Sequence, residues 1–194
     1  MITTSLLPVR SGQAPASTTV FDERTLAALG FTAASDIVRL APGVSVAASG
    51  ARGTETVVRI RGAESHHTLV FIDGIAFNDA AAANAARFDT LTASGLSRIE
   101  LIRGPQSALW GSEALGGVVA MTSPDPLGRR RAAGAVEVGS GNAHRAEGEF
   151  ASGGTHAGLS ATAGWARADG IDIIGNGSGD RDGYETLTLG LKGA

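Results

Sequence analysis

Residues 99–121 read IELIRGPQSALWGSEALGGVVAM. Ile99, Leu101 and Ile102 around Glu100 predict a strand, which Gly104 and Pro105 end. A polar turn, a short helix and a flexible connection follow before the second apolar run, Val118 to Met121. Gly104, Gly111, Gly116 and Gly117, like Gly62 earlier, permit tight turns and close backbone approach. Glu100 and Arg103 stand out in so apolar a strand. An unpaired buried charge costs about 3–5 kcal/mol, so each needs a partner. The expectation is a module seated inside a larger protein, its charges paired to a surrounding wall.

Composition supports a thin core. The chain has 194 residues, a net charge of −3, 28 glycines and only 5% aromatic residues. That glycine share is about twice the usual one. A weakly acidic chain gives no bulk electrostatic basis for nucleic-acid binding. With no cysteine there is no disulfide framework, thiolate metal site or cysteine nucleophile. No run approaches the roughly 18 apolar residues of a transmembrane helix. The start, MITTSLLPVRSGQ, lacks the basic and apolar regions of a secretory signal. GSEALGG lacks the Lys and Ser/Thr of a phosphate-cradling loop, and SALWGS is not a nucleophile elbow. Nothing argues for catalysis.

Working outward, residues 1–17 read as an extended arm and TTVF (18–21) as a strand. Asp22 is placed to cap a helix that Gly30 ends. ASDIVRLAPGV predicts a second short helix with Ile37, Val38 and Leu40 buried, stopped by Pro42 and Gly43. Strands are expected near Val44, near Val57 and from Thr68, the last turning at Asp73-Gly74. Residues 76–94 read as loop with one helical turn. Pro124 and Pro126 mark a boundary.

Beyond it lie four strand-like runs: AAGAVEVGSG, HRAEGEFASGG, THAGLSATAGWARADG and GYETLTLGLKGA. Leu159, Ala161, Ala163 and Trp165 share one face of the third, and Leu187, Leu189 and Leu191 one face of the fourth. Apolar-out, polar-in alternation is the pattern of a membrane β-barrel wall. A water-soluble antiparallel sheet with one wet face gives the same alternation.

The motifs, taken in order, are more specific. DIVRLAPGVSV, an IRG strand, VFIDG, RIELIRGP and ALGGVV resemble the plug domain of TonB-dependent outer-membrane receptors. Within that family, SHHTLVFIDGIAFND and the acidic loop DGIDIIGNGSGDRDGY are most similar to the cobalamin receptors. The fold implied is an α+β plug, a small mixed sheet with short helices, followed by the first antiparallel strands of a transmembrane β-barrel. The implied organisation is an arm at 1–17, a plug at 18–123 and a partial barrel at 133–194. Four runs cannot close a barrel, so the chain is expected to be part of a longer receptor.

The resemblance assigns residues. Arg61 and Arg103, the IRG arginines, would face the wall and pair with carboxylates on later strands, with Glu100 as a local alternative partner for Arg103. His66, His67, Asn78 and Asp79 would face the external ligand. Neighbouring strand residues point to opposite faces, which argues against His66 and His67 chelating one metal ion. Asp172, Asp180 and Asp182 would bind calcium; an acidic solvated turn is the plainer reading. Ile2, Thr3 and Thr4 would be the remnant of the box that pairs with the TonB protein. The implied activity is energised import of cobalamin at the bacterial outer membrane, in contact with its lipid, without catalysis and without nucleic acid. The alternatives are a siderophore or other metal-chelate receptor, and a stand-alone soluble plug-like binding module.

Overall fold

The computed structural model describes residues 17–170 and 181–194. These form two compact units: the chain up to Ala47 with Thr56–Thr122, and Ala48–Glu55 with Ser123–Ala194. No helix among the described residues is long and apolar enough to cross a membrane.

The first unit begins with β1 (Ser17–Asp22), α1 (Glu23–Leu29), α2 (Ala34–Val38), β2 (Val44–Ala48) and β3 (Thr56–Ile60). It continues with β4 (Thr68–Ile72), β5 (Ile75–Ala76), β6 (Asn78–Asp79), β7 (Ala85–Ala86), β8 (Arg98–Arg103), α3 (Ser107–Trp110) and β9 (Gly117–Thr122). Asp22 caps α1 as expected: its Oδ1 accepts from the Thr25 backbone N–H at 2.9 Å and the Thr25 hydroxyl at 2.7 Å. Those two bonds, the hydroxyl's first, hold its carboxyl below the usual aspartate range. Gly30 closes the helix at φ 62°, where a side chain would be strained.

The main sheet runs β1-β8-β9-β4-β5. The β4–β9 pair is parallel and the others antiparallel, so the sheet is mixed. Ile99 and Leu101 of β8 lie opposite Met121 and Val119 of β9, and all four are almost wholly buried. Val70, Ile37, Val38, Val58 and Ile60 complete this core. Each such side chain contributes about 1.5–3 kcal/mol by leaving water. The opposite face of the sheet carries a smaller cluster of Leu69, Ala114 and Val118, with Phe71 and Trp110 against it. With both faces covered, β8 reads apolar almost throughout rather than alternating.

Residues 76–94 hold the expected loop with one helical turn and add a short strand pair. They hold the short β6–β7 pair and a 3-10 turn at Ala80–Ala82. Asn78 is the reason. Its Oδ1 accepts from Val70 N–H at 2.8 Å, and its Nδ2 donates to Thr68 and Asn84 carbonyls at 3.0 and 2.7 Å. One carboxamide thus substitutes for a strand beside β4, which composition alone does not reveal.

The second unit is the antiparallel meander β10 (Arg130–Gly139), β11 (Ala143–Gly153), β12 (Gly158–Ala168) and β13 (Tyr184–Gly193). Its register puts Val136, Ala146, Trp165 and Leu187 in one cross-strand row. Gly134, Gly148, Ala163 and Leu189 form the next row, then Ala132, Phe150, Ala161 and Leu191. One face of the sheet is therefore apolar across all four strands, as the alternation predicts. The other carries Glu137, Arg145, Glu147, Glu149, Thr162, Thr186 and Thr188.

Candidate functional site

The two IRG arginines of the first unit meet at one turn. Pro42 and Gly43 end the α2 region, and Gly43 takes φ 75°. Its carbonyl accepts from the Arg61 backbone N–H at 2.7 Å. Arg103 Nη1 donates to the adjacent Pro42 carbonyl at 2.6 Å, and its Nε reaches the Ser17 carbonyl at 3.4 Å. Arg61 itself has φ 54°, a left-handed backbone uncommon outside glycine. Its side chain is exposed and crosses the second IRG motif: Nη1 lies 3.1 Å from where a Cβ on Gly104 would be. A larger residue at 104 would displace the guanidinium. Each guanidinium has five N–H donors, so the two carbonyls leave Arg103 with donors for a further acceptor.

Glu100 has a different partner from the one its sequence neighbourhood suggests. It is fully buried, and its carboxylate meets Arg98 Nε rather than Arg103. The reason is the pleat: residues two apart share a face, residues three apart do not. Arg98 was missed although period two was legible in RIE. The same step of two joins Arg145 to Glu147 on the polar face of the second unit, and pairs between neighbouring strands extend it. Arg145 meets Glu147 at 2.6 Å and Glu137 at 3.7 Å; Glu149 meets Arg129 at 3.2 Å and Arg131 at 3.3 Å.

His66 and His67 lie on a 3-10 turn, Ser65–His67, not on a strand. Their rings therefore do not point to opposite faces; the centroids are 4.2 Å apart and tilted by 57°. No group of three or more metal-ligating side chains occurs among the described residues. The His67 carbonyl accepts from Gly116 N–H at 2.9 Å, tying this turn to the glycine-rich connection. Gly116 has no room for more: a Cβ would sit 2.9 Å from the Ala63 Cβ.

Asn78 is committed to the backbone contacts given above, so both of its amide donors are already used within the fold. Asp79 Oδ1 accepts from Ala81 N–H at 2.8 Å and caps the 3-10 turn. Both of these polar side chains hold the chain in shape. Asp182 is exposed at the start of the last strand region. Asp172, Asp180, Ile2, Thr3 and Thr4 lie outside the described residues.

The comparisons with known proteins converge. The family model described as TonB-dependent Receptor Plug Domain matches residues 10–118. The vitamin B12 transporter BtuB of Vibrio vulnificus (strain YJ016) is 38% identical over 104 residues, which is 54% of this chain and 17% of that protein. Among solved structures, the siderophore receptor PirA from Acinetobacter baumannii superposes with a TM-score of 0.71 at 22% identity, covering 95% of this chain and 30% of that one. The ferric yersiniabactin uptake receptor FyuA from Yersinia pestis gives 0.67 at 22% identity, covering 92% of this chain and 28% of that one. At such identities the structural likeness shows the shared fold. The chain spans less than a third of the length of each of these relatives. The ordered IRG, IDG and GG motifs, the mixed sheet they build and the match over residues 10–118 lead to one conclusion: this chain belongs to the TonB-dependent receptor plug domain family.

Proposed function

We propose that this chain is the plug and first wall strands of a TonB-dependent outer-membrane receptor that imports cobalamin. The observation that carries the substrate is the 38% identity to a vitamin B12 transporter over 104 residues. The apolar face of the second unit supports a wall in lipid, since Leu187, Leu189 and Leu191 are 67%, 71% and 77% exposed. Open strand edges are not tolerated in the bilayer, so the working wall requires further strands.

In this reading the plug blocks the pore and the arginines hold it reversibly. Arg61 and Arg103 pair with wall carboxylates through donors that the Pro42–Gly43 turn leaves over. Polar pairs with water among them can separate under load, whereas a packed apolar core resists. TonB engages the segment containing Ile2, Thr3 and Thr4 by strand addition and supplies that load. Calcium held by Asp172, Asp180 and Asp182 orders the external side; hard carboxylate oxygens suit that ion. The reaction is transport, with no bond made or broken in the ligand.

The test is equilibrium binding of cyanocobalamin by the intact receptor in outer-membrane fractions, with calcium and with chelator. Calcium-dependent binding is expected. Binding of a ferric siderophore instead, with none of cyanocobalamin, would move the protein to the metal-chelate receptors. A soluble product that binds neither would return the question to a stand-alone plug.

A further inference from the structure

The chain from β9 to β10 changes partners within one peptide link. Up to Thr122 it belongs to the first unit, and from Ser123 to the second. The Thr122 carbonyl accepts from the Ser97 N–H at 2.8 Å and from the Ser97 hydroxyl at 3.0 Å, beside β8. The next carbonyl, on Ser123, accepts from Lys192 Nζ of β13 at 3.5 Å. The one after, on Pro124, accepts from the buried Ser160 hydroxyl of β12 at 3.2 Å. Residues 124–129, PDPLGR, then fold into a turn. Asp125 Oδ1 accepts from Leu127 N–H at 3.0 Å, and the Pro126 carbonyl from Arg129 N–H at 3.3 Å. Gly128 N–H donates to the Gly154 carbonyl and Gly153 N–H to the Arg129 carbonyl, each at 2.9 Å. These two bonds tie the turn to the end of the β11–β12 hairpin.

The seat of the turn is a glycine pair. Gly153 and Gly158 face each other across β11 and β12, and the buried Pro126 lies against both. A Cβ on Gly153 would collide with the Pro126 carbonyl oxygen, and one on Gly158 would stand 2.9 Å from that oxygen and from the Pro126 Cβ. Backbone approach this close requires residues without side chains. Two prolines also restrict the segment before it docks, so seating it costs less conformational entropy. Pro124 and Pro126 are therefore packed parts of the wall unit rather than a loose joint.

We propose that residues 123–129 form a strap fixed to the wall, which stays seated when the plug sheet opens, so that the pivot is the single link Thr122–Ser123. A pull arriving through β1 then ends at that link and leaves the pairing of β10 with β11 undisturbed. The seat is independent of any substrate, whereas its part in import rests on the receptor reading above.

The first test is amide hydrogen exchange of the intact receptor in denaturant just sufficient to open the plug sheet. The amides of Gly128 and Gly153 should stay protected with those of β12, exchanging about tenfold or more slowly than those of β8. Exchange in step with β8 would overturn the strap. Gly153→Ala, which sets a methyl group against the Pro126 carbonyl, should release Gly128 to exchange while β12 stays protected. Unchanged protection of Gly128 in that variant would overturn the glycine seat. The second test locks the strap during import. This chain has no cysteine, so Pro126→Cys with Gly158→Cys brings two thiols to one place. Their Cβ positions can be bridged after an outward shift to the usual separation of about 3.5–4.5 Å. Cyanocobalamin uptake should be the same with the bridge oxidised and with it reduced. Loss of uptake on oxidation, recovered on reduction, would overturn a strap that stays seated. If wild-type receptor imports no cyanocobalamin while Gly128 and Gly153 stay protected, the substrate falls and the strap stands.

Discussion

The two units place the same aliphatic side chains in opposite surroundings. In the plug sheet, Ile99, Leu101, Val118 and Val119 are wholly buried, on both faces of the sheet. In the wall sheet, Val136, Leu187, Leu189 and Leu191 are two-thirds or more exposed, all on one face. The charged residues invert in step. Glu100 is enclosed in the plug sheet beside Arg98, whereas Arg145 and its glutamates spread over the polar face of the wall. Period two alone does not distinguish these cases. What separates them is whether a second layer covers the sheet, and among the described residues of its unit none covers the apolar face of the wall sheet. A large apolar patch of this kind marks a surface meant for something other than water.

The comparison yields predictions in decreasing order of effect. Glu100→Ala removes the buried partner of Arg98 and leaves a cavity in the sheet, and should cost about 2–5 kcal/mol in denaturant unfolding of the plug. The double substitution of Arg98 and Glu100 by leucine should recover most of that loss, since a buried pair is replaceable by apolar packing. If Glu100→Ala were as stable as wild type, the pair would not belong to the enclosed sheet. In the wall, Leu189→Lys should cost about 2–4 kcal/mol in refolding into bilayers, while Thr188→Lys on the polar face should be nearly neutral. Equal costs would erase the sidedness of the wall.

Smaller effects sharpen the plug half. Asn78→Ala removes three backbone contacts and leaves the Val70 N–H without its acceptor, so about 2–3 kcal/mol of stability should go. Ligand affinity should fall only as far as the fold does, which separates a clamp from a ligand contact. Asp22→Ala should have the smallest effect, a modest loss of stability through the lost cap. The folded carboxyl of Asp22 is lowered, so its contribution is present above the unfolded aspartate range and fades as pH falls through the lowered value. An acid titration of stability should flatten in the Asp22→Ala variant over that window.

Much of this was legible in the residues. Asp22 and Gly30 mark the ends of α1 through local chemistry that no distant contact has to supply. Asp73-Gly74 makes the β4–β5 hairpin, with both residues at positive φ. The wall register follows from alternation, since a shift by one residue would turn every leucine of β13 to the polar face. The failures are non-local. Arg103 finds Pro42, 61 residues away, and Asn78 bridges to Thr68 and Asn84; a linear reading supplies neither. The strand-face argument about the histidines fails because a 3-10 turn, Ser65–His67, precedes β4. The Glu100 partner was the one error the pleat could have prevented.

The measurement closest to the central claim exploits the absence of cysteine from the chain. Single Leu189→Cys and Thr188→Cys variants of the intact receptor, carrying a polarity-sensitive fluorophore, would be read in outer-membrane vesicles against a lipid-soluble and a water-soluble quencher. The account predicts that the label at 189 is quenched from lipid and the label at 188 from water. Quenching of both labels from water alone would contradict a wall in the membrane, and with it the receptor reading of the second unit.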